Sequence, residues 1–235
     1  MENVEANLKV KDLVNYFNFE IIEGSEQAME RPIVIADTNR PGLELAGFFD
    51  YSQSKRVVIL GDKEIAYIET MDERSQRISF DFITNEVTPA IIISKSHKCP
   101  PILKEIAKEK DFPLLRSMFE TYRLIIDVIT FLDEKLAPSV SRHGGLLSIY
   151  GKGVMISGES GMGKSEIALE LIKRGHLLVA DDRVDCSRIH NKIIGRAPTI
   201  LREMLEIRGI GIINVSRMFG ASSVLDKQEV SLVVH

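Results

Sequence analysis

Cysteine is nearly absent from this chain: among 235 residues only Cys99 and Cys186 carry thiols. They stand far apart, with no CxxC and no histidine at metal-ligand spacing, which excludes a disulfide framework and a zinc site. Both are expected to be plain buried or half-buried thiols. No run of residues approaches the roughly 20 apolar positions needed to span a bilayer. The opening MENVEANLKVKD is charged where a secretion signal would be apolar, so a cytoplasmic protein is expected, with no membrane partner. An excess of positive charge is also missing: 30 Lys and Arg face 34 Asp and Glu, giving a net charge of −4. Such a surface neither releases counterions from nucleic acid nor docks on an anionic membrane. Internal repeats and low-complexity tracts are lacking as well. What is left is a composition 44% hydrophobic and 27% charged, ordinary for a soluble α/β protein of one large or two small domains.

The first half reads as an α/β unit, residues 1–137. In VKDLVNYFNFEII, Val10, Leu13, Val14 and Phe17 recur at the spacing of an amphipathic helix. RPIVIAD, RVVILG and TPAIIIS are short β-branched runs bounded by turn formers and read as buried strands. Between the first two, Asn39-Arg40-Pro41-Gly42 is strong turn chemistry. Prolines open a helix over PPILKEIAKEK, with Ile102, Leu103 and Ile106 toward one face. A longer helix is predicted from about Ser117 to Leu136, ended by Ala137-Pro138 because the residue before proline leaves the α region.

Pro138, Ser139, Ser141 and Gly144-Gly145 then read as a linker into a second unit, residues 138–235. There LLSIYGKGVMISG predicts two strands, Ser165–Arg174 a helix stopped by Gly175, and HLLVADD a further buried strand. A helix near Pro198–Glu206 and a terminal strand in VSLVVH complete the reading.

The stretch Gly158-Glu159-Ser160-Gly161-Met162-Gly163-Lys164-Ser165 fits G-x-x-x-x-G-K-[ST] and lies between an apolar strand and a helix. In that setting glycines let successive backbone N–H groups face one anion, the helix N-terminus adds its positive end, and Lys164 reaches the β and γ phosphates. The Ser165 hydroxyl then holds Mg²⁺. No N-K-x-D tetrapeptide and no D-x-x-G switch follow, which disfavours a guanine nucleotide and leaves adenine. VADDRV delivers Asp181 and Asp182 at a strand end, one able to serve the metal through water, the other to take a proton from a hydroxyl nucleophile. Glu206 and Arg208, among the glycines of LEIRGIGIIN, can hold a metal and a phosphate or form a surface ion pair. His143, in SRHGG, reads locally as an exposed loop histidine.

SRHGG, GESGMGKSEIALELIKRGHLLVADDRV and LEIRGIGIINVSRMFG together resemble the catalytic half of the bacterial HPr kinase/phosphorylase family, and TNRPGLELAGFFDY resembles a turn of its N-terminal domain. That resemblance implies a catalytic domain of P-loop type, similar in fold to PEP carboxykinase. It implies ATP-dependent phosphorylation of a seryl hydroxyl on HPr, a carrier protein of the sugar phosphotransferase system, in the control of carbon catabolite repression. It also implies removal of that phosphate by inorganic phosphate, giving pyrophosphate. Carried over by motif, Gly158–Ser165 binds ATP (or pyrophosphate), Lys164 meets the phosphates, and Ser165 and Glu206 are the Mg²⁺ ligands. Asp182 becomes the base for phosphorylation and the acid for its reversal, His143 an active-site residue, and Leu205–Asn214 a segment used in both directions. A homo-oligomer, a hexamer in the family, is implied too.

Family members continue beyond the strand represented by VSLVVH with a further catalytic arginine, a segment important for dephosphorylation and a C-terminal helix. The resemblance therefore implies a longer natural chain, with phosphorylase activity resting most on the part past His235. Two other readings stay open on the same residues: a small-molecule kinase or carboxykinase-like enzyme, and a nucleotide-gated regulator without catalysis.

Overall fold

The computed structural model describes residues 8–235. These fall into two units, residues 8–136 and 137–235.

The first unit begins with α1 (Val10–Phe17), which buries Val10 and Leu13 and is closed by Asn18 in the left-handed conformation. β1 (Glu20–Glu23), β2 (Thr38–Asn39), α2 (Gly42–Leu45), β3 (Val57–Leu60), α3 (Asp62–Ile68) and α4 (Glu73–Ile83) follow. The unit closes with β4 (Ile91–Ile93), α5 (Pro101–Glu109), β5 (Leu114–Arg116) and α6 (Thr121–Leu136). The sheet order is β1-β5-β4-β3-β2, parallel except for the antiparallel edge pair of β1 with β5. Helices cover both faces, so alternate residues of one strand enter different cores. Val57, Ile59 and Ile92 pack with Leu13, Leu124 and Val128. Val58, Leu60, Ile91 and Ile93 pack with Phe80, Leu103 and Phe112. Burial on both faces is why these strands read as unbroken apolar runs.

Two expectations need correction here. RPIVIAD is not a strand: Pro32 makes one isolated bridge to Lys9, and the strand starts only at Thr38. Ile33 is buried but Val34 is exposed, and proline has no N–H to give a ladder. The long helix starts at Thr121 rather than near Ser117, because the carbonyls of Ser117 and Phe119 accept hydrogen bonds from Ser96 and Lys95. Helices α3 and α4 and strand β5 fall where the sequence reading above places no element.

The TNRPGLEL turn spends its polar groups internally. Asn39 and Ser52 both donate to the buried Glu44, and Arg40 pairs at 2.6 Å with Glu64, which also accepts from the Gly61 N–H.

The second unit comprises β6 (Ser139–His143), β7 (Gly145–Ile149), β8 (Lys152–Ile156), α7 (Lys164–Lys173), β9 (Leu177–Ala180) and the hairpin β10 (Arg183–Ile189) with β11 (Lys192–Arg196). A second hairpin, β12 (Met204–Ile207) with β13 (Gly211–Asn214), leads to α8 (Val215–Phe219) and β14 (Lys227–Val234). The large sheet runs β6-β10-β11-β14-β8-β7-β9, antiparallel except where β14 lies parallel to β8.

The predicted linker is therefore a strand: β6 is the sheet's edge, pairing with β10 over Ser139–His143. The helix expected near Pro198–Glu206 is a single 3-10 turn at Thr199–Leu201, followed by β12. Glu203 takes a positive φ of 62° and stops any helix, after which Leu205 and Ile207 alternate inward in strand fashion.

Candidate active site

β8 and β9 are not neighbours; β7 lies between them, antiparallel to both. They therefore run in the same direction, and their C-terminal ends open at one edge of the sheet. From β8 the chain enters the loop 157–163 and then α7. Gly161 and Gly163 both sit at φ 88°, in the left-handed region where a side chain is disfavoured, so the glycines of the motif are set by backbone geometry. Lys164 folds back over the loop, donating to the carbonyls of Gly158 at 3.0 Å and Glu159 at 2.8 Å. These are hydrogen bonds that phosphate oxygens can replace.

From β9 the chain reaches Asp181 and Asp182, which differ sharply. Asp181 is buried, 5% exposed, and accepts the Ser165 hydroxyl at 3.1 and 3.2 Å and the Glu206 N–H at 3.1 Å. Burial raises its pKa above the usual carboxylate range, against those hydrogen bonds and with a smaller push from the neighbouring Asp182 charge. Asp182 is exposed and lies at φ 61°, inside a tight turn closed by the Arg183 N–H on the Asp181 carbonyl at 2.7 Å. A turn of that type around a positive φ is rare and strained, and such backbone persists where its surroundings over-determine it. One such restraint is the Gly144 N–H, which donates to the Asp182 carbonyl at 3.0 Å.

Gly144 explains its own motif. A Cβ there would come 2.6 Å from the Ile156 carbonyl oxygen, at a φ of 149°. That close approach brings His143 to the site, with Nδ1 3.1 Å from the Asp182 carboxylate. The histidine is exposed as its local sequence suggests, yet it meets a carboxylate.

The β12–β13 hairpin supplies the facing wall. Glu206 points outward from β12, and Arg208 follows it; a Cβ built on Gly161 would lie 3.1 Å from Arg208 Nη2, so hairpin and loop touch. Together these elements enclose a cavity of about 370 Å³. Its lining contains His143, Ser160, Gly161, Gly163, Lys164 and Ser165, with Asp182 and Glu206. Of the residues expected from sequence, Gly158, Glu159 and Met162 do not line it. Asp181, Glu166, Arg208 and Gly211 do. Glu206 and Arg208 do not pair with each other as a surface bridge; both face the cavity.

The donor set suits a hard cation. The Ser165 hydroxyl and the carboxylate residues Asp181 and Glu206 all line the cavity, and the side-chain donors they offer are oxygens. No group of three or more His, Cys, Asp or Glu side chains among the described residues closes into a metal cage. Few protein oxygens, with room for water and phosphate, is the habit of Mg²⁺ rather than of zinc or calcium.

Both thiols are as plain as expected. Burial pushes Cys99 up to about 11 and raises Cys186, leaving neither nucleophilic at neutral pH. Among the described residues, no helix is long and apolar enough to cross a membrane.

Comparison with known proteins gives matches along nearly the whole chain. Residues 8–132 match the family described as HPr Serine kinase N terminus, and residues 134–235 the HPr Serine kinase C-terminal domain. The chain is similar to the HPr kinase/phosphorylase of Bacillus subtilis, 42% identical over 231 residues, 98% of this chain and 74% of that one. It is 46% identical to the HPr kinase/phosphorylase of Listeria welshimeri over 230 residues, 97% of this chain and 73% of that one. A solved structure titled Hpr(Ser) kinase/phosphatase from Coxiella burnetii matches 40% of this chain and 57% of its own at 42% identity, with a TM-score of 0.39.

Proposed function

The chain belongs to the HPr serine kinase family, and from that premise we propose that its second unit moves a phosphoryl group between ATP and a serine of HPr, in both directions. The observation that carries the reading is the meeting, in one cavity, of a glycine-rich anion loop, an exposed aspartate fixed by a strained turn, and a second carboxylate beside the loop serine. A phosphate-binding site with no proton acceptor would serve a sensor; this one carries an acceptor.

In the forward direction the loop N–H groups and Lys164 hold the β and γ phosphates, and Arg208 meets them from the hairpin. Asp182 takes the proton from the seryl hydroxyl as its oxygen attacks the γ phosphorus and the bond to ADP breaks. His143 keeps that carboxylate aimed. In reverse, protonated Asp182 returns its proton to the serine oxygen while inorganic phosphate attacks the phosphoserine, leaving pyrophosphate. Ser165, Glu206 and, behind them, Asp181 would hold Mg²⁺, which when bound neutralises charge on the phosphates. With this reading go the assignments read from the resemblance alone: a carboxykinase-like second unit, a first unit of separate role, assembly into hexamers and a cytoplasmic setting.

The test is to incubate the protein with labelled ATP, Mg²⁺ and purified HPr, then to add phosphate and look for pyrophosphate. Asp182→Asn keeps a residue type that tolerates positive φ, so it should fold and bind ATP while losing about 10²–10⁴-fold in both directions. Near-normal turnover by that variant would refute the role of Asp182. Transfer to a metabolite but never to HPr would favour the small-molecule kinase.

A further inference from the structure

The cavity wall that carries Glu206 and Arg208 is a short hairpin, and the contacts that fasten its base stand outside the cavity lining. β12 and β13 share four cross-strand pairs, from Ile207 with Gly211 near the tip to Met204 with Asn214 at the base. A two-stranded hairpin is marginal at best in water on its own. Its underside is anchored by Leu205, Ile207 and Ile213, which pack into the core. At its base a polar clasp ties the two strands together. The Val215 N–H donates to the Glu203 carbonyl at 2.8 Å, one rung beyond the last pair. The Ser216 hydroxyl lies 2.5 Å from Glu203 Oε2 and 3.0 Å from Asn214 Oδ1. It has one proton, which goes to the nearer and charged acceptor. Asn214 Oδ1 is then left to cap α8, accepting the Arg217 N–H at 2.9 Å.

Glu203 enters this clasp at a φ of 62°, a region that few residues with a long side chain adopt. Such backbone persists where its surroundings over-determine it, and here the bonds to Val215 and Ser216 do so. We infer that Glu203 and Ser216 are positioning residues for phosphoryl transfer, fixing the hairpin's base so that Glu206 and Arg208 are held toward the phosphates. This rests on the reading above of transfer from ATP in that cavity. Glu206 stands only three residues from Glu203. Beyond it the tip is pliable, with Gly209 at φ 80° and Gly211 at 104°, so the aim of the wall is set from its base. A misplacement of about 1 Å can cost about 10²-fold in rate. An exposed clasp that adds little to stability can therefore matter in turnover.

The experiment uses the full chain with labelled ATP and HPr at saturation, reading kcat alongside the Kd for ATP by calorimetry. Glu203→Asn keeps a residue type that tolerates positive φ, with a side chain one methylene shorter than the contact spans. Ser216→Ala removes the donor from the other side. Each should lower kcat about fivefold, and the double variant should fall no further than either single one, since both break one contact. Glu203→Gln, with an acceptor oxygen at the same reach, should recover to within about twofold of the parent. The Kd for ATP should stay within about twofold throughout, because the loop and Lys164 belong to β8 and α7. An unchanged kcat in both single variants overturns the inference. So do losses that multiply in the double variant, which would make the two residues independent. A fall in ATP affinity as large as the fall in kcat overturns it too, assigning the clasp to the folding of the whole site. If the unaltered protein transfers nothing to HPr, the functional reading itself has failed, an outcome distinct from all of these.

Discussion

Adjacent aspartates with identical chemistry stand in different surroundings here because the backbone parts them. Asp181 stays in line with its strand and is buried; Asp182 turns out at φ 61° and is exposed. Since burial raises the folded pKa of Asp181 above its unfolded value, the folded chain holds that proton more tightly. The resulting stabilisation is complete below the ordinary carboxylate range and is lost as pH climbs through the raised pKa. Asp181→Asn removes this titration. Relative to the parent, the variant should therefore gain stability as pH rises from about 3.9 toward neutrality, a trend that urea unfolding across pH reads directly; a constant difference between the two proteins would contradict it. The same variant would loosen the hold on Ser165 and Glu206, so stability and transfer should move in opposite directions. None of this division could be read from the letters D-D, which present two equal candidates; the distinction lies in the turn.

Among the elements, those with strong local signals were legible before the structure. Helices α1, α5 and α7 and strands β3, β4 and β7–β9 follow their periodicity and their Pro or Gly boundaries. Three failures turn on strand pairing, which local composition does not show. β6 reads as a linker because an edge strand carries polar residues, Ser139, Ser141, Arg142 and His143, and only its pairing with β10 makes it a strand. β12 has helix-like spacing upstream, yet β13 arrives to pair with it. Pro32-Ile33-Val34 has strand composition and no ladder to join. The phosphate loop, both aspartates and Glu206 were visible in sequence, whereas the contact of His143 with Asp182 depends on the β6–β7 junction. Gly144→Ala tests that junction: with a Cβ 2.6 Å from the Ile156 carbonyl at a positive φ, the junction must shift. Stability should fall by about 1–3 kcal/mol, and transfer should fall further than ATP affinity, since the junction carries His143 directly and holds Asp182 through the Gly144 N–H. Equal losses in both would count against a positioning role.

At the scale of the whole molecule, each unit has cores of its own: two flanking the first sheet and two in the second unit. The cavity of the second unit is lined only by residues between His143 and Gly211. Phe80 is fully buried in the first unit, and Phe80→Ala should cost about 3–5 kcal/mol. If the units are energetically separate, that loss should lower one unfolding transition in calorimetry while ATP binding, and the stabilisation it gives the other transition, stay intact. A proportionate weakening of ATP affinity would show that they fold as one.

The pairing of β14 with β8 bears on how the protein is made. β8 leads into the phosphate loop, and one of its two neighbours, β14, comes from more than 70 residues downstream, with the Ser157 N–H donating to the Val234 carbonyl at the mouth of the loop. During synthesis the first unit can therefore fold as soon as it leaves the ribosome, since all its strands are local to residues 20–116. The glycine-rich loop has to wait, its supporting strand lacking one edge until residues 227–234 emerge. A nascent chain halted before Lys227 should thus carry the whole GESGMGKS motif and still fail to hold ATP.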